Sequence, residues 1–359
     1  MVSDIVKVFI PTALAFLLGI ALTPILTHYL YKYRMWKKVG GKRDYSGNET
    51  VIFNSLHKEG EIATPRLGGV IIWGSATVVI LTLWGLARLF PIDYFIKLDF
   101  LSRSQTWLPL FTLVAGSLIG LVDDLFEIRG GGGAGKQPSG GLSLSVRLFL
   151  VSAISLFVAW WFYEKLGVHA ISVPFSHQLD LGLFFIPFFV LVTLFLYAGG
   201  IIDGIDGLAG GIFASIFSAY AIIAFYQSEI NLAAFAATIS GAILAFLWFN
   251  IPPARFYMSE TGTMGLTITL AVIAFFTDQK GGGYGVVALP LIAFPLVLTV
   301  GSAILQVVSK RFRKGKKIFL VAPLHHHFEA LGWPSYKVTM RYWIIGIVCA
   351  LVGVIVALI

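Results

Sequence analysis

Residues 181–228 read LGLFFIPFFVLVTLFLYAGGIIDGIDGLAGGIFASIFSAYAIIAFYQS. Two runs without a charged residue, 181–202 and 207–228, flank a short link that carries Asp203 and Asp206. A bilayer crossing by an α-helix takes roughly 20 apolar residues, so each run is long enough for one. The stretch reads as two membrane spans joined by a tight acidic turn. Working outward, the runs 8–31, 67–87, 104–122, 148–163, 230–254, 261–277, 281–309 and 342–359 have the same character, ten runs in all. The fourth, 148–163, is short unless Arg147 reaches back to the interface, as long cationic side chains do. Pro290 and Pro295 in 281–309 predict a broken ninth helix, because proline removes an N–H and crowds the preceding turn. No small-residue cleavage site follows the first run, so it is expected to be a retained span. The fold class is an all-α, polytopic integral membrane protein of about ten helices in one transmembrane domain, 1–359.

Composition agrees. Hydrophobic residues make up 57% and charged residues 12%, about half the ~25% usual in soluble domains. That excludes an ordinary soluble enzyme, a disordered chain and a nucleic-acid reader. The single Cys349 excludes a disulfide framework and a cysteine metal site. Of the 26 Lys and Arg, 20 fall in or beside the connections after the odd-numbered spans, with six on the other face. Lys and Arg concentrate in cytoplasmic connections, which puts 32–66, 123–147, 203–206, 250–264 and 310–341 in the cytoplasm and both termini outside. The net charge of +8 is therefore assigned to topology. Residues 130–141, GGGGAGKQPSGG, read as a flexible linker. They lack the Lys-Ser/Thr ending of a phosphate-binding P-loop.

The chemistry-bearing residues gather on that cytoplasmic face. Asp123 and Asp124 end the third span, where acids oppose the helix dipole and point to metal binding or proton transfer. Asp203 and Asp206 lie three apart among glycines, a spacing that would set both carboxylates on one face of a helical turn. Asn250 with Pro252 and Pro253 ends the seventh span. Glu260 then precedes Thr261-Gly262-Thr263, whose hydroxyls and N–H groups are expected to meet phosphate at a helix start. His325, His326 and His327 follow the basic run KRFRKGKK at 310–317. Adjacent side chains diverge, so diphosphate binding or proton transfer suits them better than joint zinc ligation. His57 and His28 read as structural. Five carboxylates without matching local lysines imply a cation, most simply Mg²⁺ acting through substrate phosphates.

The ordered motifs DD at 123–124, DGIDGLAGG at 203–211, LWFNIPPARFYMSETGT at 247–263 and PLHHHFEALGW at 323–333, with HKEGEIATPRLGG at 57–69, resemble the polyprenyl-phosphate N-acetylhexosamine-1-phosphate transferases. The HHHFE run and ILQV at 304–307 are similar to the phospho-N-acetylmuramoyl-pentapeptide transferase branch. The resemblance implies transfer from UDP-N-acetylmuramoyl-pentapeptide to undecaprenyl phosphate, with Mg²⁺, in the bacterial cell membrane, by a homodimer facing the cytoplasm. It implies Asp123 and Asp124 beside the attacking lipid phosphate and Glu260 at the metal, with Asp123, Asp124 and Asp203 as further metal candidates. It gives catalytic work to His325 and His326. Asp203 and Asp206 would serve the nucleotide, Tyr257 would stack on uracil, and Gln306 would line the same pocket. Lys58, Arg147, Asn250 and His327 complete the substrate-binding candidates, Arg147 standing where the family usually has a lysine. The sequence departs from the family pattern at Glu260, usually aspartate, and at Gly200-Ile201-Ile202, usually Asn-Leu-Thr. Two other readings stay open: a sister transferase of a peptide-free N-acetylhexosamine phosphate, and an ion-coupled transporter. The transporter predicts acids at mid-helix, whereas these sit at helix ends.

Overall fold

The computed structural model describes residues 2–38, 40–41, 50–102, 105–130, 140–174, 178–279 and 283–359, apart from the side chains at 56, 58, 59 and 279. Most of the glycine-rich stretch and the Lys58 side chain therefore lie outside the described residues. In chain order the helices are α1 (Val2–Lys32), α2 (Val51–Glu61), α3 (Gly69–Leu89), α4 (Asp93–Leu98), α5 (Trp107–Arg129), α6 (Leu144–Trp160), α7 (Phe185–Gly199), α8 (Leu208–Tyr226), α9 (Ile230–Asn250), α10 (Ser259–Gln279), α11 (Gly285–Ile292), α12 (Phe294–Phe312), α13 (Leu324–Ala330) and α14 (Ser335–Leu358). One antiparallel pair of two-residue strands joins Ala170–Ile171 to Leu179–Asp180.

Among the described residues nine helical segments are long and apolar enough to cross a membrane, and the bent pair α11–α12 makes a tenth. The pair turns by 70° at Ala293, between Pro290 and Pro295. Proline at 295 can neither donate to the preceding turn nor let it pass without a clash, so the break falls where the sequence predicts it. The fourth span is not short. It begins at Leu144 and continues through a π-helical turn to Lys165. Arg147 lies inside it and turns to Glu260 instead of the interface. Ser143 caps its start, accepting from the Val146 N–H.

Helix α10 is the axis of the bundle. Its apolar window is 94% buried, against 22% for α1 and 28% for α14. The outer helices present Leu17, Ile25, Ile344 and Ile355 outward, as lipid-facing helices do. Where lipid tails are as apolar as leucine, close backbone packing is what holds helices together. The α5–α10 contact shows it: a Cβ on Gly120 would collide with the Glu260 carbonyl, and one on Gly116 would press on Gly265. On the other side Gly69 of α3 abuts Gly262. Four residues past Gly120, on the same face of α5, comes Asp124. Small residues thus dock the acidic end of α5 against the first turn of α10.

Overpacking a tight contact costs roughly 1–3 kcal/mol. Gly120→Val is therefore expected to lower the melting temperature in detergent, and Gly301→Ala, where an added methyl meets nothing within 4 Å, is not. Equal melting temperatures for the two variants would refute the close-packing account.

Candidate active site

Three of the acids clamp the chain that leads into α10. The Asp206 carboxylate accepts from the Ala254 N–H at 2.9 Å, that of Asp203 from the Ser259 N–H at 2.7 Å, and that of Asp124 from the Thr261 N–H at 2.9 Å and the Thr261 hydroxyl at 2.5 Å. Asn250 completes the clamp, accepting from the Gly207 N–H at 3.0 Å and donating to the Phe256 carbonyl at 2.8 Å. The first N–H groups of a helix have no partner within it, and acids at that end are favoured by the dipole. Ser259 itself sits at φ 59°, a left-handed conformation that costs a non-glycine residue about 1–2 kcal/mol. The Asp203 carboxylate on its N–H helps to hold it there.

Several expectations change here. Asp203 and Asp206 do not share a helical face: Gly200–Ile202 is a 3₁₀ turn, and α8 begins only at Leu208. The two carboxylates diverge to separate points of the α9–α10 link. Burial raises the Asp206 carboxyl above the usual carboxylate range, against the Ala254 hydrogen bond. The Thr261 N–H and hydroxyl do not stand open to phosphate, because Asp124 takes both. Thr263 donates to the Ser259 carbonyl at 3.2 Å.

Asp123 and Glu260 face a cation instead. Arg147 Nη1 lies 3.0 Å from Glu260 Oε1 and 3.8 Å from Asp123 Oδ2, while Asp123 Oδ1 accepts from the Leu142 N–H at 2.6 Å. Arg66 forms a second arm, with Nη1 2.9 Å from Glu127, Nε 3.7 Å from Asp124 Oδ1 and 3.2 Å from the Ser259 hydroxyl. Lys37 bridges Glu127 at 2.9 Å and Glu61 at 3.1 Å. The acids do have cationic partners, brought from α6, from the turn before α3 and from the segment after α1. A search for nearby lysines in the sequence cannot see them. Arg66, Glu127, Lys37 and Glu61 were not among the sequence candidates. Glu127 was within reach, being one helical turn on from Asp123 and Asp124.

Mg²⁺ takes oxygen ligands, commonly one or two carboxylates with waters and substrate phosphates completing an octahedron. Asp123, Asp124 and Glu260 offer carboxylate oxygens at one end of α10, and Asp124 Oδ1 is buried without a hydrogen-bond partner. One or two of these carboxylates, completed by waters and substrate phosphates, fit Mg²⁺. A cage of Asp123, Asp124, Asp203 and Glu260 does not. Among the described residues the one trio of possible metal ligands within 4.8 Å of one another is His57, His326 and Glu329, so no three of those acids close on one point.

The histidines lie on the neighbouring segment. His325 and His326 are buried, their rings 4.3 Å apart. Both Nε2 atoms sit so close to Gly204 that a Cβ there would press on them, at 2.7 Å from His326 and 2.9 Å from His325. Glycine at 204 is what lets the DGID link meet the histidine helix. His327 turns away and accepts from the Leu320 N–H at 3.2 Å. Gln306 is occupied by the same loop: its carbonyl accepts from the Ile318 and Phe319 N–H groups, both at 3.0 Å, and its amide donates to the Phe319 carbonyl at 2.9 Å. Tyr257 is half-buried beside the 60–65 turn. Its N–H donates to the Pro65 carbonyl at 2.8 Å, and burial pushes its hydroxyl up to about 12 despite a hydrogen bond with Thr64. His57, read as structural, meets Glu329 at 2.9 Å. The signal missed was Glu329, three residues after His326 on one helical face.

A family model described as glycosyl transferase family 4 matches residues 106–278, the segment from the start of α5 to the end of α10. Along its length the chain is similar to proteins named phospho-N-acetylmuramoyl-pentapeptide-transferase. The one from Chloroflexus aggregans is 30% identical, covering 100% of this chain and 92% of its own. That from Anoxybacillus flavithermus is 30% identical over 97% of each. The Thermodesulfovibrio yellowstonii relative is 33% identical over 84% of this chain and 81% of its own.

Proposed function

The chain belongs to the phospho-N-acetylmuramoyl-pentapeptide transferase family, and from that premise we propose that it moves phospho-N-acetylmuramoyl-pentapeptide from its UDP conjugate to undecaprenyl phosphate. The enzyme is a multi-pass membrane phosphotransferase. UMP and the first lipid-linked peptidoglycan precursor are the products of this reading. The supporting observation is the convergence on the first turn of α10, where Asp123, Asp124 and Glu260 alternate with Arg66 and Arg147. Two phosphorylated substrates repel each other, and a site that joins them needs fixed cations among oxygen ligands.

A phosphate monoester has a second pKa near 6, so at neutral pH the lipid phosphate is largely dianionic and needs no strong base. Its oxygen attacks the phosphorus that carries the sugar. A new P–O bond forms as the bond to UMP breaks, and the electron pair leaves on the UMP phosphate. Arg147, set beside Glu260 and Asp123, takes up the charge of the transferring phosphoryl group. Arg66, held by Glu127, does so on the Asp124 side. When bound by Asp123, Asp124 or Glu260, Mg²⁺ supplies further neutralisation of the diphosphate. The Lys/Arg bias orients this site to the cytoplasm of the bacterial cell membrane, with the outer helices in lipid. A homodimer remains part of the proposal on family grounds.

The test is direct. Purified protein, undecaprenyl phosphate and Mg²⁺ are incubated with UDP-N-acetylmuramoyl-pentapeptide or UDP-N-acetylglucosamine, and the lipid product is identified by mass spectrometry. Transfer from the peptide-bearing donor with release of UMP is expected. Transfer from the peptide-free donor alone would make the protein a sister enzyme, and no lipid product from either would overturn the reading.

A further inference from the structure

A second constellation stands apart from the acids at α10. His57 of α2 and His326 of α13 each direct a ring nitrogen at one carboxylate oxygen of Glu329: His57 Nε2 at 2.9 Å and His326 Nδ1 at 2.7 Å from Oε2. All three donor atoms lie within 4.8 Å of one another. His326 and Glu329 are buried, while His57 keeps one side open, its side chain 20% exposed. The Ser335 hydroxyl donates to Glu329 Oε1 at 2.6 Å and so fixes the carboxylate from behind. Phe53 covers the group, its ring 4.9 Å from each imidazole.

We propose that His57, His326 and Glu329 form a binding site for a transition-metal dication of the Zn²⁺ type. Two imidazole nitrogens and one carboxylate oxygen, with a fourth position left for water, is a set that zinc accepts. Imidazole suits Zn²⁺ and its neighbours, whereas Mg²⁺ demands oxygens. The trio is thereby separated in chemistry, as well as in place, from the all-oxygen cluster at α10. Bonds of 2.0–2.2 Å put tetrahedral ligands roughly 3.3 Å apart, so the two histidines need to draw back from Oε2 by about half an ångström and, lying within 4.8 Å of each other, to close on one another by up to about 1.5 Å. Only α2 has to move for His57, and α2 lies outside the spans. The hydrogen bond from the Ser335 hydroxyl to Oε1 is the kind of contact that orients a ligating carboxylate from outside. With a metal bound, α2 would be tied to α13 across the cytoplasmic end of the bundle. The inference concerns binding alone and does not depend on which donor the transferase uses.

Tag-free, full-length protein in detergent with excess Mg²⁺ is titrated with Co²⁺ and read by the visible absorption of four-coordinate cobalt. Zn²⁺ is then added in competition with a chromophoric chelator. One equivalent is expected. Affinity in His57→Ala and Glu329→Gln should fall at least about 100-fold, since even outer-shell partners are worth 10–100-fold. Equal uptake by all the variants, or no four-coordinate cobalt signal in the parent protein, would reduce the trio to a hydrogen-bonded contact and overturn the proposal.

Discussion

Asp124→Asn is expected to lower turnover by about 10²–10³-fold, the scale of losing one electrostatic contact to a developing charge, while the protein keeps its fold. Asp124 is fully buried, and its two oxygens do different work. Oδ2 receives the Thr261 N–H and hydroxyl, a cap that an asparagine carbonyl can reproduce. Oδ1 has no hydrogen-bond partner, and Arg66 stands 3.7 Å away. Leaving a carboxylate oxygen buried and unbonded costs free energy, which a bound metal ion would recover. Asparagine removes that charge and keeps the cap. Asp124→Ala removes both, so it should also lower the melting temperature, with the cap worth roughly 1 kcal/mol. Normal turnover in Asp124→Asn would make the residue a helix cap and nothing more.

How much of this was legible in the sequence differs between the bundle and the site. Charge-free runs of span length locate the helices because a bilayer demands them, and the Pro290/Pro295 pair locates the break. Helix ends were less legible. The fourth span extends three residues before Arg147, because that side chain has a carboxylate partner inside the protein and does not need the interface. The site residues were visible as residue types, since acids and histidines stand out against so apolar a chain. Their partners were not. Asp206 meets Ala254, Asp203 meets Ser259 and Asp124 meets Thr261, separations of 48, 56 and 137 residues, and no local pattern encodes such pairings. Arg66 looks like an ordinary topology charge until the fold turns it inward, and Arg147 stood out only through the family resemblance. The same holds for His57, whose partner Glu329 is 272 residues away. What the sequence did carry was spacing within one helix: Glu127 after Asp124, and Glu329 after His326.

Glu260 offers the second large effect, because two roles converge on it and can be separated. Its carboxylate holds Arg147 at 3.0 Å, and Asp123 waits 3.8 Å from the same nitrogen. Removing Glu260 should therefore let Arg147 close on Asp123, neutralising a second carboxylate along with the loss of the first. Glu260→Ala is expected to be the most damaging single change, about 10³-fold or more in turnover, on the scale of a lost electrostatic stabiliser with a disturbed neighbour. Glu260→Gln keeps the length and a hydrogen bond to Arg147, so the arginine should stay in place. A rise in the Mg²⁺ concentration needed for half-maximal activity then reports the lost charge alone. Glu260→Asp restores the acid usual in the family with a shorter reach, and should retain measurable activity with a higher Mg²⁺ requirement. Arg147→Ala completes the set. If Glu260 served only to hold the arginine, the double variant would be no worse than Arg147→Ala, the signature of two residues acting as one. If Glu260 also binds the metal, the double variant loses more, and only the Glu260 variants shift the Mg²⁺ requirement. The metal role is falsified if Glu260→Ala turns over normally with an unchanged Mg²⁺ requirement. In that event the acid is a favourable charge at a helix start, and Asp123 and the free oxygen of Asp124 are left to face the diphosphate.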